Sequence, residues 1–193
     1  MRKIKLSICI PSYNRPDLLE KALQSILNQT KKPYEVVVVD DCSTEDMSKI
    51  LKLCKKEAFK YFVNKKNIGL MNNFNAVLKM ATGDYVTLLH NDAFLSKCYV
   101  EKMVEVINKY KNYNINATNG IAVMEDRRVV GEYRIFLKDK SIDSQNDLID
   151  MWNRDFPNFC SVIGCTVYKT KFILENLFDT KWGNEADLEN SLR

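Results

Sequence analysis

Residues 34–44 read YEVVVVDDCST, four consecutive valines set between acids. β-Branched residues on both faces of a strand leave no side for water, so the run predicts a central strand of a parallel sheet, buried on both faces. Parallel neighbours cannot be joined by a hairpin and need a crossover, usually a helix. The surrounding sequence supplies the crossovers. KLSICIPSYN reads as a buried strand halted by Pro11 and a polar loop. PDLLEKALQSILNQ then carries Leu18, Leu19, Ala22, Leu23, Ile26 and Leu27 at helical spacing, with Pro16 in the first turn. MSKILKLCKKEA is a second amphipathic helix and FKYFVN a short third strand. MNNFNAVLKMA is a third helix, for which Gly83 is the expected C-terminal cap. DYVTLLH is a fourth strand, and SKCYVEKMVEVINKY a fourth helix with Ser96 as its expected N-cap. The alternation predicts an α/β fold: a mostly parallel central sheet of Rossmann-like type with helices on both faces.

After Tyr110 the rhythm changes. NATNGIAVME and RRVVGEYRIF form a hairpin pattern across Asp126-Arg127, SIDSQNDLIDMWN is a helix with Ser144 near its start, and FCSVIGCTVYK is a further strand. TKFILENL is a short helix, and NEADLENSLR another that runs into the chain end. No repeat or linker interrupts the 193 residues, so a single domain is expected. At 46% hydrophobic the chain can bury a sizeable core, and 28% charged residues argue against disorder. The net charge of +4 comes from dispersed lysines such as Lys31-Lys32, Lys55-Lys56 and Lys65-Lys66, with no basic helix face. Nucleic acid is therefore not an indicated partner, whereas a mild basic excess suits phosphorylated donors near an anionic membrane. The six cysteines (Cys9, Cys42, Cys54, Cys98, Cys160, Cys165) form no CxxC pair and read as reduced thiols. The opening MRKIKLSICIPSYN is a first strand rather than a signal peptide, and no run approaches the ~18 apolar residues of a membrane span. The expectation is a soluble cytoplasmic protein, peripheral at the inner face of the membrane at most.

In open parallel sheets ligands bind beyond the C-terminal strand ends. Those ends carry Pro11-Ser12-Tyr13-Asn14, Asp40-Asp41-Cys42-Ser43, the segment 64–69, and His90-Asn91-Asp92. No G-x-G-x-x-G follows the first strand and no G-x-x-x-x-G-K-[ST] occurs, which disfavours dinucleotide and P-loop sites. A phosphate site without those loops must neutralise charge otherwise, and a divalent metal held by carboxylate is the obvious means. Each element has a bland alternative. Asp40-Asp41 could cap the following helix, although capping needs one carboxylate and two adjacent ones repel. His90-Asn91-Asp92, with the chain's one histidine, could be a solvated turn.

Together, LSICIPSYNRPDLLEKALQSILNQT, EVVVVDDCST, NKKNIGLMNNFNAVLKMATGDYVTLLHND and ADLENSLR resemble the family 2 glycosyltransferases of the GT-A fold. The resemblance covers essentially the whole chain and is densest over residues 6–104. It implies a nucleotide-sugar-binding half, residues 1–110, and an acceptor-side half, residues 111–193, cut short at its C-terminus. By resemblance, Pro11, Ser12 and Tyr13 contact the nucleotide base, with Tyr13 flanking or stacking on it. Asp41 reads the base edge, typically of uracil, with Asp40 in support, and Asn67 and Gly69 belong to the N-x-G loop that approaches the nucleotide. His90-Asn91-Asp92 occupies the Asp-x-Asp position: Asn91 is placed at the ribose, and Asp92 matches the ligand to Mg2+ or Mn2+ on the donor diphosphate. Asp187 matches the aspartate of the late acidic motif, the general base.

The implied reaction is an inverting transfer from a nucleotide-diphosphate donor, a UDP-sugar, to a glycan or lipid-linked acceptor hydroxyl. Departures from the family pattern bear on it. His90 replaces the usual first aspartate, Ala93 stands where a further aspartate is frequent, and Ala186 stands where glutamate is usual, with Glu185 one position early. Arg193 reads as a surface cation of the final helix. The departures keep a second class open, a catalytically impaired nucleotide-sugar-binding or scaffold domain. A sugar-phosphate nucleotidylyltransferase is disfavoured by the missing glycine-rich loop.

Overall fold

The computed structural model describes residues 3–118, 120–123, 129–133 and 166–180. The first half alternates as the periodicity predicts: β1 (Leu6–Ser12), α1 (Pro16–Leu27), β2 (Glu35–Asp40), α2 (Ser48–Lys56), β3 (Lys60–Val63), α3 (Leu70–Lys79), β4 (Tyr85–Leu88) and α4 (Tyr99–Lys109). There follow β5 (Ile115–Ala117), a hairpin of β6 (Gly120–Val123) and β7 (Val129–Tyr133), then β8 (Thr166–Lys169) and α5 (Thr170–Glu175). The hairpin is the antiparallel pair expected across Asp126-Arg127. The expected helices at 141–153 and 184–193 lie outside the described residues, as do Asp187 and Arg193.

The six-stranded sheet has the order β3-β2-β1-β4-β8-β5. β3, β2, β1 and β4 run parallel, while β8 is antiparallel to both β4 and β5. The valine run explains the layers. Val36 and Val38 belong to the core cluster shared with α1, α2 and α4. Val37 and Val39 belong to the opposite one, shared with α3 and α5. Each fully buried valine contributes about 1.5–3 kcal/mol of transfer free energy, so a single charge within the run would be costly.

Two capping expectations are corrected. Helix α4 begins at Tyr99 and has no side-chain N-cap. Ser96 instead supplies its carbonyl to the Gln29 side-chain amide at 2.7 Å, while Gln29 Oε1 accepts the Val100 N–H at 3.0 Å. A side chain from beyond the end of α1 thus satisfies a donor that a local cap would otherwise take. Helix α3 ends at Lys79 with Met80 in the right-handed region, so Gly83 is not its cap. Gly83 is needed because the chain crosses β1 closely there. A Cβ would lie 2.7 Å from the Lys5 carbonyl oxygen and nearer still to Ser7 Oγ.

At the N-terminal end of the sheet, Glu35 joins three strands and the loop before β4. Its carboxylate accepts from Ser7 Oγ at 2.7 Å, Thr82 N at 2.6 Å, Thr82 Oγ1 at 2.9 Å and Lys60 Nζ at 2.5 Å. The reduced-thiol reading holds for the described cysteines: Cys9, Cys42, Cys54 and Cys98 are all free, with Cys9 and Cys54 buried.

Candidate functional site

The strand order reverses direction at β1, whose chain neighbour β2 lies on one side and β4 on the other. A switch point of this kind opens a crevice beyond the C-terminal strand ends. Ladder bonds continue past the strands there: Asp41 N donates to Ser12 O, Asn64 N to Asp40 O, and Leu89 N to Cys9 O, each at 2.8 Å. They set the loops after β1, β2, β3 and β4 side by side on one rim.

The end of β1 buries Pro11 and Ser12, and the loop after it places Tyr13 outside, 44% exposed. Ser12 Oγ is buried without a hydrogen-bond partner among the described residues. Asn14 has φ 49°, in the left-handed region that asparagine tolerates. Its side-chain oxygen accepts from Thr44 N at 2.7 Å and Glu45 N at 3.2 Å, and its own N–H donates to Ser43 Oγ at 2.8 Å. The first and second rim loops are thereby stitched together.

Asp40 and Asp41 are both buried, at 3% and 2% exposure. Asp40 Oδ1 accepts from both the backbone N–H and the hydroxyl of Ser43, and Oδ2 accepts from the Tyr61 hydroxyl at 3.1 Å. Burial and the Asp40 charge both push the Tyr61 phenol up. Neither aspartate caps α2, which starts at Ser48 without a side-chain cap. Asp41 turns to the third loop: Oδ1 accepts from Asn64 Nδ2 at 2.8 Å and Ile68 N at 2.9 Å, and Oδ2 from Gly69 N at 2.9 Å. Gly69 has φ 85°, a conformation that makes glycine the fitting residue, and Asn67 Oδ1 accepts the same Gly69 N–H at 3.1 Å. Asn67 and Gly69 are exposed.

The turn after β4 holds His90, Asn91 and Asp92, with Asp92 exposed. The His90 ring lies 5.0 Å from that of Phe74, which meets Phe178 edge-on at 5.7 Å. Its Nε2 is buried with no partner among the described residues. Burial pushes the imidazole below its ordinary value, the Asp92 charge opposing, so His90 is neutral at neutral pH. Phe178 is fixed in turn by Asn75, whose Nδ2 donates to Phe178 O at 2.8 Å and whose Oδ1 accepts Phe178 N at 3.0 Å.

Pro11, Ser12, Tyr13, Asp40, Asp41, Asn67, Gly69, Asn91 and Asp92 therefore all fall on the rim, and Asp187 lies outside the described residues. Sequence reasoning assigned no role to Asn14, Ser43, Tyr61, Asn64 and Asn73, which hold the rim together. A signal existed for Asn73: it falls among the apolar positions of an amphipathic helix, where a polar residue needs a reason.

The mostly parallel six-stranded sheet with helices around it has the α/β architecture expected of the GT-A class, which solved GT-A neighbours share. The chain belongs to glycosyl transferase family 2, whose profile matches residues 7–171. An uncharacterized glycosyltransferase of Rickettsia bellii is 39% identical over 92 residues, 48% of this chain and 13% of that protein. The GalNAc(5)-diNAcBac-PP-undecaprenol beta-1,3-glucosyltransferase of Campylobacter jejuni is 36% identical over 108 residues, 54% of this chain and 35% of that protein. The crystal structure of S. aureus TarS 1–349 in complex with UDP superposes with a TM-score of 0.74 at 20% identity, over 97% of this chain and 54% of that one. The chain thus spans well under two thirds of each of these proteins.

Proposed function

We propose that this chain is the donor-binding and catalytic domain of an inverting glycosyltransferase. It would move a sugar from a nucleotide diphosphate, UDP-linked, to the hydroxyl of a glycan or lipid-linked acceptor. The observation that carries the reading is the rim itself: exposed Tyr13 after β1, buried Asp41 after β2 and exposed Asp92 after β4, at the same end of adjacent strands in a chain of family 2. The UDP bound to TarS supports the nucleotide, and the PP-undecaprenol in the name of the C. jejuni relative supports a lipid-linked acceptor. No helix among the described residues is long and apolar enough to cross a membrane. A peripheral association at the cytoplasmic face would bring such an acceptor within reach.

In this reading Tyr13 flanks the base, Asp41 takes its edge, Asp40 holds the Asp41 loop against Ser43 and Tyr61, and Asn67 and Gly69 close on the nucleotide from β3. Asn91 meets the ribose. Asp187 draws the proton from the acceptor hydroxyl as it attacks the anomeric carbon in line, opposite the departing diphosphate. Among the described residues no three His, Cys, Asp or Glu side chains form a preformed metal cage. That donor set fits Mg2+ or Mn2+ that brings most of its ligands as diphosphate oxygens and water, with Asp92 as the protein's carboxylate. Bound there, the cation supplies charge neutralisation for the leaving diphosphate.

A second reading, a scaffold domain that binds donor without turnover, is favoured by His90 and Asn91 standing where carboxylates would reinforce the metal. Thermal shift with UDP-, GDP- and CDP-sugars, with and without Mn2+, tests both. Stabilisation by a UDP-sugar only with metal, lost in Asp92→Ala, is expected; no response to any nucleotide refutes both readings. Asp187→Asn should cut donor hydrolysis and transfer by about 10²–10⁴-fold with UDP binding kept. Wild-type protein that binds but never turns over would assign the scaffold.

A further inference from the structure

Lysines that look dispersed along the chain are gathered by the fold. Residues 48–66, from α2 through β3 to the start of the third rim loop, hold seven lysines and one glutamate, a net +6 in a chain of net +4. Three of the seven are answered: Lys49 by Glu20 of α1 at 2.6 Å, Lys56 by Glu57 at 3.6 Å and Lys60 by Glu35. Lys52, Lys55, Lys65 and Lys66 are exposed and make no ion pair among the described residues.

Large apolar side chains stand exposed in the same segment: Leu51 at 47%, Phe62 at 41% and Val63 at 58%. They share one margin of the molecule. Lys49 marks the flank of α2 that faces α1, and Leu51 and Lys55, one turn apart, fall on the other flank. Beyond that flank lies β3, the edge strand of the six-stranded sheet. Tyr61 packs with the α1 and α2 layer, so alternation puts Val63 on that face and Phe62 on the other. At an edge both stay open. Lys65 and Lys66 follow directly after the strand.

Charge and apolarity together select the occupant. A second copy would set one +6 segment against another along the unpaired edge. A soluble polyanion would answer the lysines and leave Leu51, Phe62 and Val63 in water. An anionic bilayer answers both: its head groups take the lysines, and the apolar side chains sink toward the acyl boundary. We propose that the α2–β3 margin is the surface by which this chain docks on an anionic lipid bilayer. The proposal gives the peripheral association inferred above its face, and rests on that association but not on the donor site. Residues 67–69 follow on Lys65 and Lys66, so docking holds the third rim loop beside the head groups.

The test is co-sedimentation with vesicles of phosphatidylcholine, with and without an equal share of phosphatidylglycerol. The wild-type chain should bind the anionic vesicles, not the neutral ones, and release as salt rises. Each lysine near an anionic surface is worth about fivefold, so Lys52→Gln/Lys55→Gln should bind about 30-fold more weakly. Leu51→Ser removes a half-exposed apolar side chain and should cost about fivefold. The control Lys97→Gln/Lys111→Gln, exposed lysines on either side of α4, should stay within about twofold. All these positions are exposed, so thermal midpoints should not move. Binding by the wild type with equal losses in both lysine pairs, or with no loss in Leu51→Ser, keeps the association and overturns this face. A wild type that binds no vesicle overturns both, including one that dimerises or takes up an oligonucleotide through the margin. A chain that docks as described but binds no UDP by calorimetry sinks the donor-site reading and leaves the docking face standing.

Discussion

Removing the Glu35 charge should weaken the fold by an amount that depends on pH in one direction only. The Glu35 side chain is 7% exposed and is the shared acceptor for Ser7, Thr82 and Lys60. Burial by itself raises the carboxyl pKa. Hydrogen bonds from Lys60, Ser7 and both the backbone and side chain of Thr82 outweigh it and bring the value from 4.5 to about 2. A difference of about 2.5 in pKa corresponds to about 3.4 kcal/mol. Water screens the Lys60 arm, whose side chain is 44% exposed. A contribution of about 1.5 kcal/mol is the better figure. Because the folded-state value is depressed, this stability is fully present above about pH 4.5 and is lost as pH falls toward 2. Urea denaturation of the wild type and Glu35→Gln across pH 2.5–7 reads it. Glutamine keeps one oxygen for Ser7 and Thr82 N but turns an amide toward Lys60. The variant should be about 1.5 kcal/mol less stable at pH 7, the gap closing as acid protonates the wild-type group. Parallel stability curves down to pH 2.5 would show that the clamp carries no net charge stabilisation.

Gly83→Ala should destabilise by about 1–3 kcal/mol, because the clash is with the Lys5 backbone carbonyl, which cannot swing aside. A fall in the thermal midpoint checks it, and an unchanged midpoint would mean β1 gives way locally. Gln29→Ala should cost about 1–3 kcal/mol by leaving the buried Val100 N–H unpaired, while Ser96 O keeps its bond from Tyr99 N. Since Gln29 lies away from the rim, nucleotide affinity measured by calorimetry should stay at the wild-type value.

What was legible in the sequence was whatever depends on neighbours along the chain. The valine run had to be a central strand because no other placement hides both its faces, and the helical spacing of Leu19, Ala22, Leu23 and Ile26 fixed the buried side of α1. The rim loops followed from strand direction alone. The failures share one cause. Ser96 and Gly83 were assigned the jobs their local context favours, and long-range partners displaced them: Gln29, about seventy positions upstream in the chain, took the cap, and β1 took the close approach. Asn73 was passed over for the same reason. Its partners are carbonyls on β1 and β2, which no spacing rule connects to α3.

The Asp40-Asp41 pair shows how the fold handles a sequence feature that looks self-defeating. Adjacent carboxylates repel, and burial should worsen it, yet both are buried and none of the ion pairs among the described residues involves either. The strand's alternation disposes of the conflict. Successive side chains leave on opposite faces, so Asp40 turns toward Tyr61, which packs with the α1 and α2 layer, and Asp41 toward Asn73 and the start of α3. Each then collects three neutral donors, which satisfy a carboxylate without the desolvation cost of a buried lysine or arginine. In the proposed reading, a negatively charged diphosphate arriving at the rim would meet Asp92, an exposed carboxylate of the His90 turn, and a divalent ion between the two would offset their repulsion. In that reading, the separation of buried, donor-saturated acids from the exposed Asp92 would let a single rim both hold its own loops and take a metal with its substrate.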